Sequence, residues 1–342
     1  MSIKDLPAGC SKDTMLSSAP DEGGENRLLG PTNPVLTTLP SNFNAQIKFA
    51  SCADVIGHIR DQAECHNCWA SASVGMFNDR VCIQSGGRIT DILSLAYLTS
   101  CCNHANGCPK SDGCRRGSVA EGLIFMKNHG IVTGGEYKPP KKLGNDDGCW
   151  PYPFPKCNHV PGMKVKYPRC GSKVGRLAAP SHCDGLHCRR AGDVHRAKSW
   201  GRLPISPEKI KQEIFDNGPV AAIMTIHEDF RLYKSGVYEY KTGAMVGAHT
   251  LKLIGWGVEA GQEYWLAVNS WNEEWGDQGK IKLAVGKNAL DEESRQQVPR
   301  RAVNELDEDA MMAESGAKTQ KAMAQLKEDV FVEKQVHSHF EE

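Results

Sequence analysis

The sequence has no surplus of either charge: 41 Lys and Arg offset 41 Asp and Glu, so the formal net charge is zero. A chain without a net field is not drawn to nucleic acid or an anionic membrane surface, and a polyanion-binding role loses its physical basis. No apolar run approaches the ~20 residues that cross a bilayer, so no membrane-spanning helix is expected. The N-terminal segment, Met1 to Gly30, lacks the apolar stretch of a secretory signal and carries Asp21, Glu22 and Glu25 instead. A targeting segment was either trimmed from this sequence or never encoded. There is no internal repeat, and no pair of Cys-x-x-Cys knuckles at zinc-finger spacing.

Cysteine, by contrast, is abundant: 14 in 342 residues, most of them between Cys52 and Cys188. Close spacings such as Cys101-Cys102, Cys108 and Cys114 look like a staple framework, which reducing compartments do not maintain. Disulfides in an oxidising lumen are therefore expected. The competing reading is zinc held by close Cys/His pairs such as Cys183 and His187.

Residues 1–38 are rich in Pro, Gly and Ser without a hydrophobic period, as an irregular leader would be. From Cys68 to Ser85, Trp69, Ala72, Met76 and Ile83 fall on one helical face, and Gly86-Gly87 ends the run. Residues 139–204 change character, with Pro139-Pro140, Pro151, Pro153, Pro155 and five cysteines, the mark of a long ordered loop. Beyond Gly218 the period switches to two through Leu251, Leu253 and Gly255, then Tyr264, Leu266 and Val268, then Ile281, Leu283 and Val285. An α+β chain follows, helical and cystine-rich first, mostly antiparallel sheet second. Residues 301–342 hold ten acidic and five basic side chains and read as a solvated helix or disordered tail.

Cys68 opens the expected helix, where unpaired N–H groups and the dipole favour thiolate over thiol. A thiolate nucleophile needs a base, and the base an orienting group. A hairpin turning through Glu259, Ala260 and Gly261 sets His249 opposite Asn269, so the amide oxygen accepts from one ring nitrogen while the other faces the thiol. Trp271 and Trp275 follow closely enough to shield that bond from water. His58, His129 and His227 have no such pairing.

Three ordered motifs resemble the papain-like cysteine proteases and, within them, the cathepsin B-like group. These are Asp61-Gln62-Ala63-Glu64-Cys65-His66-Asn67-Cys68-Trp69-Ala70; Gly247-Ala248-His249-Thr250 with Gly255-Trp256-Gly257; and Asn269-Ser270-Trp271-Asn272 with Trp275-Gly276-Asp277. The resemblance runs from about Leu39 to Pro299. It implies a two-subdomain papain-like fold over 39–300, with a helical half, a sheet or barrel half and the cleft between. It implies Cys68 as nucleophile, His249 as general base and acid, Asn269 as orienter, and Gln62 with the Cys68 N–H as oxyanion donors. Gly117, Trp271, His159 and Glu293 become substrate-binding candidates. The segment Cys149-Trp150-Pro151-Tyr152 through Cys157-Asn158-His159 resembles an occluding loop over one end of the cleft. The family framework carries over as Cys52 with Cys82, Cys65 with Cys114, Cys101 with Cys183, Cys102 with Cys108, Cys149 with Cys188, and Cys157 with Cys170. Cys68 is expected free, and Cys10 has no assigned role.

The chain also departs from that pattern. His66-Asn67 replaces Gly-Ser, so either His66 crowds the substrate strand or the turn changes. Arg116 stands where a glycine is usual and either narrows the cleft or points into solvent; Ala248 replaces a glycine before His249. One loop histidine, His159, precedes Val160 where the group has two, which favours endopeptidase over dipeptide-releasing activity and leaves His159 to pin the loop to Asp61. Glu293 is either the acid of an arginine-accepting pocket or a surface charge. The 38-residue leader is short for a complete inhibitory propeptide. The resemblance implies peptide or protein substrates, cystatin-type inhibitors, no cofactor or metal, a monomer, and a lysosomal or extracellular setting. The alternative is a catalytically impaired homologue that keeps the fold as a binding protein.

Overall fold

The computed structural model describes residues 38–138, 148–160, 166–170, 193–204, 206–286, 297–299 and 302–304. The helices are α1 (Ala45–Lys48), α2 (Ala53–Ile56), α3 (Cys68–Gln84), α4 (Leu95–Cys101), α5 (Val119–Asn128) and α6 (Pro207–Asn217). The strands are β1 (Phe43–Asn44), β2 (His195–Ala197), β3 (Trp200–Arg202), β4 (Val220–His227), β5 (Val237–Tyr238), β6 (Met245–Glu259), β7 (Gln262–Val268), β8 (Lys280–Ala284), β9 (Gln297–Pro299) and β10 (Ala302–Asn304). The first half is helical. The second carries an eight-stranded sheet ordered β3-β9-β4-β6-β7-β8-β5, with β1 added on β6. Its ladders are antiparallel except β5 on β8. Strand β10, which lies beyond the 300 boundary read from the sequence, pairs with β2.

Helix α3 begins at Cys68, as its spacing predicts, and ends where Gly86 and Gly87 take φ of 64° and 83°, left-handed values that a Cβ disfavours. It is not amphipathic, however: every residue from Cys68 to Cys82 is buried. Ala70, Ser71, Ala72, Ser73 and Gly75 are small enough for neighbours to close in on all sides. The helix therefore lies as a spine between the helical half and β6, and Gly75 would place a Cβ 3.5 Å from Lys252 Cδ. Strand β6 is likewise buried from Gly247 to Gly257; α3 packs on it, and β1 joins it in the ladder, where Phe43 stacks on its paired residue Trp256 at 4.6 Å.

The β6–β7 hairpin corrects the expected register. Its turn uses two residues, Ala260 and Gly261, with φ of 49° and 81°, not three. Paired left-handed residues match the right-handed strand twist, which a longer turn would not do as well. A bulge between Leu253 and Gly255 then shifts the ladder, which ends at Lys252 opposite Val268. The buried residues of β7 are Trp265, Ala267 and Val268, while Tyr264 and Leu266 are half-buried. Asn269 lies beyond the ladder, and its approach to His249 is made by the side chains, not by direct cross-strand pairing.

The two halves are joined through buried ions. Lys252 Nζ on β6 lies 2.7 Å from Asp79 Oδ2 on α3. Arg80 donates to the carbonyls of Pro219 and Gly218 at 2.9 and 3.0 Å and pairs with Glu213 at 2.9 Å. Neighbouring ions of one helix thus bond to opposite parts of the sheet half, which fixes the depth at which the spine docks.

Candidate active site

Cys68 is the first residue of α3, so its side chain sits at the end where unbonded N–H groups gather. His249 reaches the same region from β6, where its backbone pairs with Met224. His249 Nε2 donates to Asn269 Oδ1 at 2.7 Å; that oxygen also accepts from the Ser270 N–H at 2.7 Å. Because the amide oxygen accepts, the ring hydrogen is on Nε2. Nδ1 is then the basic nitrogen, buried and without a hydrogen bond. Cys68 Sγ lies 3.9 Å from Thr250 Oγ1, on the residue after His249. Burial lowers the His249 pKa to about 4: the Asn269 hydrogen bond opposes this, and the charges of His159 and Arg231 add to it. In this state the imidazole is neutral.

One expectation fails. Cys68 is disulfide-bonded, to a partner outside the described residues, and no cysteine among the described residues is free. An oxidising setting that holds the framework cystines also draws this sulfur into one. Cys52 is joined to Cys82, Cys65 to Cys114, Cys102 to Cys108, and Cys157 to Cys170. Cys101 and Cys149 are also bonded, while Cys10, Cys183 and Cys188 lie outside the described residues, as does Glu293.

Gln62 is fixed from both ends: its Nε2 donates to Cys65 O at 2.8 Å and its Oε1 accepts from Ser270 Oγ at 2.6 Å. One amide hydrogen remains uncommitted on Nε2. Trp271 lies over the imidazole, with ring centroids 4.8 Å apart, and stacks parallel to His159 at 5.7 Å. His159 Nε2 meets Asp61 Oδ1 at 2.7 Å, while Asp61 Oδ2 accepts from Cys157 N and Asn272 Nδ2. Burial resists ionisation of Asp61, but the His159 charge and these hydrogen bonds outweigh it and lower its pKa. The loop is thereby pinned beside the dyad. Cys157, His159 and Cys170 also come within 4.8 Å of one another, but the two sulfurs are bonded to each other and offer no thiolates.

The substituted positions resolve physically. His66 and Asn67 both avoid positive φ, so the loop bears the side chains without backbone strain. Asn67 turns inward to donate to Thr99 Oγ1 at 2.8 Å. Arg116 is exposed and Ala248 is buried within the β4–β6 pair. Gly117 has a packing role of its own: a Cβ there would lie 2.0 Å from Trp69 Cε2. Of the other histidines, His58 pairs with Glu136, His129 stacks on Phe125 and His227 on Tyr240, all away from the sulfur.

Sequence reasoning missed Arg231, whose buried charge lowers the pKa of both His66 and His249, after burial itself. It also missed Asn272 and the Asp79–Lys252 pair. A lysine in the apolar run Leu251-Lys252-Leu253-Ile254 and an acid in an otherwise buried helix were the signals available.

The pattern described as "Papain family cysteine protease" matches residues 39–299. A "Cathepsin B-like cysteine proteinase" of Schistosoma japonicum is 39% identical over 258 residues, 75% of this chain and 71% of that protein. A "Gut-specific cysteine proteinase" of Caenorhabditis elegans is 36% identical over 260 residues, covering 76% and 73%. Among solved structures, procathepsin B S9 from Trypanosoma congolense superposes with a TM-score of 0.58 at 27% identity, covering 77% of each chain. Sequence, fold and the meeting of helix start, imidazole and carboxamide agree: the chain is a cathepsin B-like member of the papain family of cysteine proteases.

Proposed function

We propose that the chain is a cysteine-type endopeptidase working through a Cys68 thiolate and an acyl-thioester. The observation that carries this is the 2.7 Å bond from His249 Nε2 to Asn269, which leaves Nδ1 as the open basic nitrogen. In the reduced chain Nδ1 takes the Cys68 proton, and the thiolate attacks the scissile carbonyl carbon. The carbonyl electrons move to oxygen, where the uncommitted Gln62 hydrogen and the Cys68 backbone N–H stabilise them. Collapse expels the amine with the proton from His249. A water deprotonated by His249 then attacks the thioester, releasing the acid and regenerating the thiolate.

Cleavage within chains is favoured over release of C-terminal dipeptides because the loop imidazole of His159 is buried against Asp61 and the residue after it is Val160, not a second imidazole to hold a terminal carboxylate. Peptide or protein substrates, cystatin-type inhibitors, a monomeric state and a lysosomal or extracellular setting belong to the same reading. The described cystines support an oxidising compartment. Among the described residues no helix is long and apolar enough to cross a membrane.

A second reading, a binding protein on a protease scaffold, is favoured by the cystine at Cys68. The two part on hydrolysis of a fluorogenic dipeptide-arginine substrate at acidic pH with mild thiol, Cys68→Ala serving as control. A thiol-dependent rate lost in the variant supports the endopeptidase. Equal, negligible rates from folded samples support the binding protein.

A further inference from the structure

We propose that the cavity between α3 and β6 binds a halide-sized monovalent anion, which holds the Asn269 carboxamide in the orientation that His249 needs. The second part rests on the roles of His249 and Asn269 proposed above. The cavity measures about 20 Å³, more than the roughly 10–15 Å³ that one water-sized occupant requires. Both halves of the fold wall it: Ser71 and Gly75 from α3, Thr250 and Lys252 from β6, Asn269 from beyond β7, and Arg60 from the segment after α2.

The groups left unmet in this wall are donors. Arg60 Nη2 donates to Leu93 O at 2.9 Å, but Nη1 has no hydrogen bond among the described residues and meets Glu136 Oε1 only at 3.6 Å. Asn269 Nδ2 has none either. Both residues are buried, at 4% and 2% exposure, where an unmet donor is costly. The neighbouring acceptors are committed. Asn269 Oδ1 takes the His249 and Ser270 protons, and Lys252 holds the Asp79 carboxylate. A water brings two hydrogens that need acceptors of their own, whereas a halide accepts from several donors and donates nothing.

Charge decides when the anion enters. Glu136 and Asp79 offset Arg60 and Lys252 while both acids are ionised, and burial lowers the His58 pKa and disfavours its charge. Burial opposes ionisation of Glu136 too, but His58 and Arg60 outweigh it. Asp79 is faced by Lys252, Arg60 and Arg80, and Arg80 has its own partner in Glu213. Burial nonetheless raises the Asp79 pKa to about 6. Below that value one positive charge is left over for the halide to neutralise, so halide and proton bind together.

The bound anion accepts from Asn269 Nδ2 and repels Oδ1, so a turned-over carboxamide is disfavoured. The oxygen stays on His249 Nε2, and Nδ1 stays the open basic nitrogen.

The test grows crystals of the full chain in bromide near pH 5 and collects data at the bromine edge. In parallel, thiol-treated enzyme hydrolyses the fluorogenic substrate at constant ionic strength, with chloride replacing gluconate. The expected results are an anomalous peak beside Arg60 Nη1 and Asn269 Nδ2, and a kcat that rises saturably with chloride at unchanged KM. The halide Kd should be about tenfold weaker near pH 7 than near pH 5. Arg60→Gln should weaken it by about tenfold or more. Gly75→Ala, whose methyl would sit 3.5 Å from Lys252 Cδ and take space from the cavity, serves if that variant does not fold. An empty or water-filled cavity in bromide, hydrolysis indifferent to chloride, a Kd that ignores pH, or unchanged affinity in the folded variant each overturns the proposal. The two levels separate. Hydrolysis indifferent to chloride without a bromide peak keeps the protease and removes the site, whereas a peak in a chain that hydrolyses nothing keeps the site and removes the protease.

Discussion

Opening the Cys68 cystine should move the titration of His249 by about three pH units, a shift that follows from charge alone. In the cystine there is no negative sulfur, and burial holds the imidazole pKa at about 4. In the proposed reaction, reduction creates a thiolate that Nδ1 must approach to exchange a proton. Opposite unit charges about 4 Å apart at an effective dielectric constant of about 20 attract by about 4 kcal/mol, or about 3 pKa units. His249 should then titrate near 7, and by reciprocity the Cys68 thiol acidifies by the same amount, the two sharing one pair of macroscopic constants. The sign of the stability effect inverts with it. In the oxidised chain a folded pKa of about 4 lies below the unfolded 6.5. That contribution, about 3 kcal/mol, is present above pH 6.5 and lost as pH falls through 4. In the reduced chain the raised pKa gives a contribution present below 6.5 and lost as pH rises through 7. The assay is NMR titration of the His249 ring in chain labelled at histidine carbon, oxidised, reduced and as Cys68→Ala. Midpoints near 4, 7 and 4 are expected. Midpoints within half a unit of one another in all three would refute the coupling.

Three further outcomes follow from contacts already described. Lys252→Met strands Asp79, whose pKa burial already raises to about 6 against the pull of Lys252; urea unfolding should show a loss of about 3–5 kcal/mol, largely recovered in Asp79→Leu/Lys252→Met. Asn269→Ala removes the acceptor of His249 Nε2 and should lower kcat roughly 10²-fold with little change in KM; equal changes in both would mean lost substrate binding instead. Gly117→Ala drives a methyl into the Trp69 indole and should cost about 1–3 kcal/mol, read as a lower Tm; an unchanged Tm would mean the strand shifts freely.

Much of this was legible in the sequence wherever one strong local signal governed the outcome. Cys68 starts the helix, Gly86-Gly87 stops it, and period-two runs become β6, β7 and β8. What was not legible depended on neighbours far along the chain. The helix looked one-faced because large apolar residues mark only one side, yet its small residues are buried too, since two halves close on it. Alternation alone does not separate Tyr264 and Leu266 from the equally apolar Trp265 and Ala267, and the packing around β7 is what buries the second pair. His249 does meet Asn269, but through a side chain reaching back from beyond the ladder. The oxidised state of Cys68 escaped for a different reason, because spacing identifies a nucleophile and carries no information on whether its sulfur is occupied.

The central claim is that Cys68 is the atom that becomes acylated. Mixing the reduced chain with excess ester or peptide substrate, quenching in acid within milliseconds and mapping the digest by mass spectrometry tests it directly. The account predicts an acyl mass on the Cys68 peptide, formed faster than product accumulates and absent from the oxidised chain. Hydrolysis proceeding with Cys68 unmodified throughout, or with the acyl group on another residue, would contradict it.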